Sequence, residues 1–487
     1  MQDFVLERTE FEKLPDVFFS RVKPEALEQP YWIAKNLGLA TELGLPTDFF
    51  NHEMLLYLSG SAKKYNPAPI ATVYAGHQFG GYSPQLGDGR ALLLGDWQDG
   101  QNQRWEWQLK GSGRTPYSRF ADGRAVLRSS VREYLCSEAM HGLGIATTRA
   151  LALAGSNDTV FREEPETAAV LTRVSSSFIR FGHFEYFYHH NRHHQLKTLA
   201  DFVIEQYYPE CATAKKPYLM LFRLIMQRTV DLTAAWQSVG FCHGVLNTDN
   251  ISVLGLTMDY GPFGFLDIYD RTHICNHSDT QGRYAYQEQP YVMHWNLARL
   301  ASCFLPLADE ADLVAAIDEF PDLFQTAYYN AMRAKIGLQS TQKDDKELID
   351  DMLLSLQSRK VDFTLFFRLL SNVKAKEDSG LPIELLSLFH GPTESFIEWA
   401  GRYRRRLRLE NQTDDERQKQ MNTVNPLYIL RNYLLEQAIE SAKNSDFSEI
   451  EKLQRCMSHP FEELPEFARF AELPPAWSSG ICVSCSS

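Results

Sequence analysis

The chain has 487 residues, 44% of them hydrophobic and 23% charged, with a formal net charge of −13. That length allows two or three domains and a sizeable core. The acidic balance argues against broad nucleic-acid binding, and no run approaches the roughly 18 apolar residues of a membrane span. Eight cysteines in so long a chain do not make a disulfide scaffold. The opening stretch MQDFVLERTEFEKL carries Asp3, Glu7, Glu10 and Glu12. It reads as neither a signal nor a transit peptide, so a bacterial-type cytoplasmic location is expected.

Residues 70–110 are expected to be β-rich. RALLLGDW (90–97) is a short apolar run. RWEWQLKG (104–111) alternates, with Trp105, Trp107 and Leu109 on one face and Arg104, Glu106, Gln108 and Lys110 on the other, which predicts a half-buried strand. From about 124 the period changes: Leu127, Val131, Leu135 and Ala139 recur every four residues and HGLG follows, as in a helix with a glycine stop. AAVLTRV (168–174) predicts another strand, and helical patterns dominate after about 195. FGHFEYFYHHNRHHQ holds His183, His189, His190, His193 and His194 and reads as a polar loop, a metal site being the alternative. GRYRRRLRLE (401–410) reads as a solvated basic helix face.

Chemistry concentrates in HGVLNTDNISVLGLTMDYGPFGFLD (243–267). His243 and Asn250 have the spacing of the H-R-D-L-x-x-x-N catalytic loop of protein kinases, and Asp259-Tyr260-Gly261 stands in the place of D-F-G. Val245 occupies the position of the kinase base, and a valine accepts no proton. Asn250 and Asp259 bracket a predicted short strand, ISVLGLTM, and offer oxygen ligands suited to Mg²⁺; Asp249 adds a second carboxylate. Lys110 ends a strand, and Glu133 lies off the apolar stripe of the next helix, as in the lysine–glutamate pair of kinases. In LGDGRALLLG, Gly87 and Gly89 allow a close backbone approach and Arg90 adds a fork of donors, although Asp-Gly is also a hairpin signal. Arg114, Arg119, Arg124, Arg128, Arg132, Arg173 and Arg180 suggest phosphate contacts nearby.

The blocks YAGHQFGGYSPQLGDGRA, LKGSGRTPYSRFADGRAVLRSSVREYL, HGVLNTDNISVLGLTMDYGPFGFLD, HWNLARLA, NPLYILRN and CVSCSS, spread from residue 74 to 487, closely resemble the selenoprotein O family of kinase-like protein adenylyltransferases. The resemblance implies an α+β, two-lobed protein-kinase-like fold. Residues 1–65 would be an N-terminal extension, 66–185 a β-rich nucleotide-binding lobe, 186–400 a mostly helical lobe, 401–480 an added helical region and 481–487 a flexible redox tail. It also implies a nucleotide flipped relative to a kinase, so that AMP passes from ATP to protein Ser, Thr or Tyr hydroxyls and pyrophosphate is released. Asp249 would then be the proton acceptor and Asn250 and Asp259 the ligands of Mg²⁺ or Mn²⁺. Gly87, Gly89, Arg90, Lys110, Asp122, Gly123, Arg173, Arg180 and Asp259 would contact the nucleotide, with Glu133 pairing Lys110. ATP and protein substrates are the expected partners, with no nucleic acid and no membrane.

UMP transfer from UTP, an ordinary γ-phosphate kinase using Asp249, and a non-catalytic pseudokinase are the alternatives. Some members of the family carry selenocysteine where this chain has Cys485. That favours redox chemistry at the tail without fixing the partner; a link to Cys275 is expected, with Cys482 the local alternative, and His273 and His277 are expected to lower the Cys275 pKa.

Overall fold

A computed structural model describes residues 4–376 and 380–484. The fold is α+β, with strands concentrated in the first 175 residues and helices after them. The main sheet is antiparallel. Its strands run in the order Phe19–Arg21, Ile70–Thr72, Ala91–Gln98, Arg104–Lys110, Pro165–Ser175, Arg149–Phe161 and Tyr31–Lys35, and the short Ala125–Val126 also pairs with Pro165–Ser175. Residues 1–65 thus supply both edges of the sheet.

Alternation along Arg104–Lys110 directs Trp107 and Leu109 into an apolar core with Leu39, Leu58 and Val170, as period two requires. The opposite face, expected to be solvated, is also covered: Glu106, Gln108 and Lys110 are all buried. The predicted helix forms as Leu127–Gly142. Its stripe Val131, Leu135 and Ala139 joins a second core with Leu171, Phe181 and helices from the rest of the chain. Each of the larger side chains, Val131, Leu135, Leu171 and Phe181, contributes about 1.5–3 kcal/mol by leaving water.

Helices Pro217–Val239, Gln289–Phe304 and Phe320–Lys335 lead the second half, and a third core gathers Met352, Phe366, Phe396 and Trp399. The boundaries expected at 185/186 and 400/401 fall inside helices Phe181–His189 and Glu394–Leu407. No regular strand forms between Asn250 and Asp259; Ser252 and Thr257 make only isolated bridges, to Arg180 and Thr147. Among the described residues, no helix is long and apolar enough to cross a membrane.

The arginine run departs from its expected solvated face. Arg404 and Arg406 are buried. Arg406 pairs with Asp345 at 2.6 Å and with Glu410 at 2.7 Å. The segment is a cross-link between helices, because acidic partners from other elements converge on it.

Candidate active site

Lys110 closes its strand, and Arg173 lies on the neighbouring strand opposite Gln108. Glu133 projects from helix Leu127–Gly142, and Arg180 is the N-cap of helix Phe181–His189. These elements converge on Asp259, whose φ of 59° sets the turn that carries its carboxylate. Lys110 Nζ lies 2.6 Å from Glu133 Oε2 and 3.2 Å from Asp259 Oδ1. Arg173 Nη1 lies 2.9 Å from Glu133 Oε1 and 2.6 Å from Asp259 Oδ1. Arg180 Nη1 donates to the Asp259 carboxylate and, at 2.8 Å, to the Asp249 carbonyl.

Burial by itself would raise the Asp259 pKa. Arg180, Lys110 and Arg173 outweigh it and hold the carboxyl well below its usual range. The same burial lowers the Lys110 pKa against the pull of Glu133 and Asp259. It also opposes the Arg173 charge, but Asp259 and Glu133 prevail and that pKa rises.

An open cleft of 910 Å³ borders this cluster and is lined also by Gly87, Gly89, Arg90, Asp122, Gly123 and Asp249. Gly87 has φ +124°, and a Cβ there would stand 2.6 Å from the Tyr117 ring, so only glycine fits. Asp88 is buried at the cleft and accepts from Thr72 N and Oγ1. Asp122 takes a bidentate fork from Arg162, at 2.7 and 3.0 Å. Of the arginine surplus, Arg90, Arg114 and Arg119 are exposed along the cleft. Arg124 and Arg132 donate to backbone carbonyls, and Arg128 stands 3.9 Å from Glu166.

The segment 247–250 is clamped by a small hairpin, Gly76–Gln78 with Gly81–Ser83. His77 N donates to Thr248 Oγ1 at 2.7 Å, Gln78 Nε2 to Asp249 Oδ2 at 3.1 Å, and Phe79 N to Asn247 Oδ1 at 3.1 Å. A Cβ on Gly76 would stand 2.5 Å from Asp249 Oδ1. Burial pushes the Asp249 pKa up to about 7, with the Gln78 bond and Arg180 opposing the rise. Asp249 Oδ1 is buried with no hydrogen-bond partner among the described residues. Asn250 Nδ2 donates to Val245 O at 3.1 Å, which leaves its Oδ1 as an acceptor. Asn250 and Asp259 line the same cleft as Asp249 and offer hard oxygen donors of the kind a small divalent cation takes.

A family profile described as "Protein adenylyltransferase SelO" matches residues 5–458. The chain belongs to the SelO family. It is 49% identical over 496 residues to the "Protein nucleotidyltransferase YdiU" of Burkholderia vietnamiensis, an alignment covering 98% of this chain and 95% of that one. The YdiU of Thioalkalivibrio sulfidiphilus is 49% identical over 484 residues, covering 98% of each chain. The family and these relatives are thus named for nucleotidyl transfer to proteins.

In this SelO chain two expectations about polar side chains need correction. The histidine-rich segment is not a loop. It ends helix Phe181–His189 and begins helix His193–Tyr207. His183 is buried there, bonded to Arg180 N and Thr72 Oγ1; burial and Arg180 push its pKa down to about 3. Nor do His273 and His277 activate Cys275. Burial lowers the His273 pKa, so it stays neutral. The Cys275 thiol is buried and donates to Cys242 O at 3.4 Å, and burial raises its pKa well above the ordinary value. Cys482 is exposed, and Cys485 lies outside the described residues. The hairpin residues Gly76, His77 and Gln78 escaped the residue-by-residue reading, because a Gly-His-Gln triplet carries no local chemical signature.

Proposed function

We propose that this chain is a two-lobed, protein-kinase-like protein adenylyltransferase of the bacterial cytoplasm, transferring AMP from ATP to protein hydroxyls. The observation that carries this reading is the pair Val245 and Asp249. The kinase base position is apolar, while four residues on a buried carboxyl has its pKa raised to about 7, where a general base serves best. Membership of the SelO family supports the same class of reaction.

In this reading the acceptor hydroxyl oxygen bonds to the α-phosphorus, and the bond from that phosphorus to the β-bridging oxygen breaks. Asp249 takes the hydroxyl proton, and pyrophosphate leaves. Lys110, Arg173 and Arg180 carry three positive charges against the two negative charges of Glu133 and Asp259, a net of +1 that favours a polyanion. Exposed Arg90 serves the far end of the triphosphate, and Gly87, Gly89, Asp122 and Gly123 shape the path between. Glu133 orients Lys110. Asn250 and Asp259 would hold Mg²⁺ or Mn²⁺, which when bound supplies charge neutralisation at the phosphates. Transfer of this kind needs mainly positioning and electrostatics.

ATP labelled at the α- or the γ-phosphate tests the reading, with α-labelled UTP in parallel. Label from the α-phosphate of ATP is expected on protein, the chain itself included. Transfer of γ-label alone overturns it in favour of a kinase, and a preference for UTP overturns the choice of AMP.

We also propose that oxidation couples the C-terminal tail to the 275–278 segment by a disulfide of Cys275 with Cys485. His277 N donates to Val483 O at 2.8 Å, so the end of the described chain lies against that segment. Mass spectrometry of non-reduced protein treated with a disulfide oxidant should find the Cys275–Cys485 peptide; a Cys482–Cys485 peptide replaces that bridge with a local one and, like finding neither, removes the coupling.

A further inference from the structure

The small hairpin meets the histidine-rich segment on the side of the 247–250 segment away from the cation cluster. Glu185 and His189 lie one turn apart on helix Phe181–His189, hence on one face, and His77 of the hairpin lies across from them. One ligand atom from each of the three falls within 4.8 Å of the others. The Glu185 side chain is completely buried, and the basic group paired with it among the described residues is His77, at 2.6 Å. A buried carboxylate without a permanent cation is costly. His189 is exposed, so the cluster is open to solvent on that side. Burial lowers the His189 pKa, and His77, His190 and Arg299 nearby push it the same way against Glu185; neutral imidazole is the form that ligates.

We propose that His77, Glu185 and His189 form a second metal site, for a divalent transition ion of the zinc type, which fastens the hairpin to the helix behind Asp249. Two imidazole nitrogens and one carboxylate oxygen match a zinc donor set with a water in the fourth position, and imidazole selects against magnesium. Metal bonds of about 2.1 Å in a tetrahedron separate ligand atoms by about 3.4 Å, so the His77–Glu185 pair opens by less than about 1 Å. The proton shared by that pair leaves to solvent as the ion enters.

An outer shell is already in place. The other Glu185 oxygen accepts from Thr248 Oγ1 at 2.5 Å, and Thr248 Oγ1 accepts from His77 N at 2.7 Å. Such partners orient metal-bound carboxylates. Thr248 precedes Asp249, so the ion would brace the residue next to the raised carboxyl.

The test uses the full chain with Cys482→Ser and Cys485→Ser, since tail thiols also bind zinc. Chelator-stripped protein is titrated with Zn(II), and Co(II) serves as the optical probe. The expected result is one equivalent of Zn(II) that excess Mg²⁺ does not displace, with visible Co(II) absorption typical of four-coordination. His189→Ala and His77→Ala should each weaken binding at least tenfold, whereas His190→Ala/His193→Ala/His194→Ala should retain it. Absence of a stoichiometric ion overturns the proposal and leaves a His77–Glu185–Thr248 hydrogen-bond chain. Loss in the triple variant with retention in His189→Ala also overturns it. Metal binding is read directly, so the outcome is independent of which nucleotide, if any, the chain transfers.

Discussion

Asp249 and Asp259 stand ten residues apart on either side of one irregular segment, yet their surroundings drive them in opposite directions. Asp259 faces the sheet, where Lys110, Arg173 and Arg180 converge on its carboxylate and keep it ionised. Asp249 faces the hairpin, where Gln78 donates one bond and Gly76 provides bare backbone, and burial raises its pKa to about 7. Two identical side chains thereby become a permanent anion and a proton acceptor. Paired carboxyls with pKa values pushed apart mark the division of labour in acid–base sites generally.

Removing the anion should have the largest effect. Asp259→Ala takes from three buried cations the carboxylate they share, and breaking such a pairing costs about 3–5 kcal/mol of stability. Transfer should fall by at least about 10⁴-fold, with nucleotide affinity falling too, since a ligand that stabilises developing charge is lost. Thermal denaturation and α-label transfer measure both, and near-normal transfer would remove Asp259 from the site. The Asp259 contribution to stability is present above its ordinary pKa of 3.8 and is lost as acid carries the pH through the lower folded value.

Asp249→Asn should cost about 10²–10⁴-fold in transfer, the usual worth of a positioned base, with nucleotide affinity little changed. Parallel loss of affinity would make Asp249 a ligand instead. In the unmodified protein the rate should rise about tenfold per pH unit in acid, because only the deprotonated carboxyl accepts a proton. It should level off at or below pH 7, since a bound cation nearby favours the ionised form.

Gly76→Ala tests the hairpin side alone. The new Cβ would stand 2.5 Å from Asp249 Oδ1 and 2.9 Å from its Cγ, so the carboxylate must move. Transfer should fall about 10–100-fold, given the sensitivity of such chemistry to displacements near 1 Å, while the cation cluster goes on binding nucleotide. Gln78→Ala should do least. It removes a bond that favours the ionised form, so the Asp249 pKa rises and the acid limb of the pH profile moves to higher pH. A few-fold loss near neutrality that disappears in alkali is expected; a loss equal at every pH would mean that Gln78 does not act through that pKa.

The comparison also separates what was legible in the chain from what was not. His243, Asn250, Asp259, Lys110 and Glu133 could be picked out because kinase-like spacing and strand and helix periodicity are local. The burial of both faces of Arg104–Lys110 was not legible. Period two tells which residues share a face, and here the polar face of Glu106, Gln108 and Lys110 is covered by Arg173, helix Leu127–Gly142 and Phe178, which lie tens of residues away. The arginine run at 401–410 misled for the same reason: its partner Asp345 is 61 positions distant from Arg406.

By itself the sequence determined the β-rich first part, the strand at 104–110 and the helix that follows it, the missing kinase base at Val245 and the identity of the charged groups, all of which follow from residue type and short-range spacing. Only the tertiary structure decided which charge meets which. It set three cations on Asp259, a glycine and a glutamine on Asp249, and His77 beside Glu185 and His189, because electrostatic environment and burial depend on neighbours in space, and those neighbours come from segments as far apart as Gly76 and Asp249.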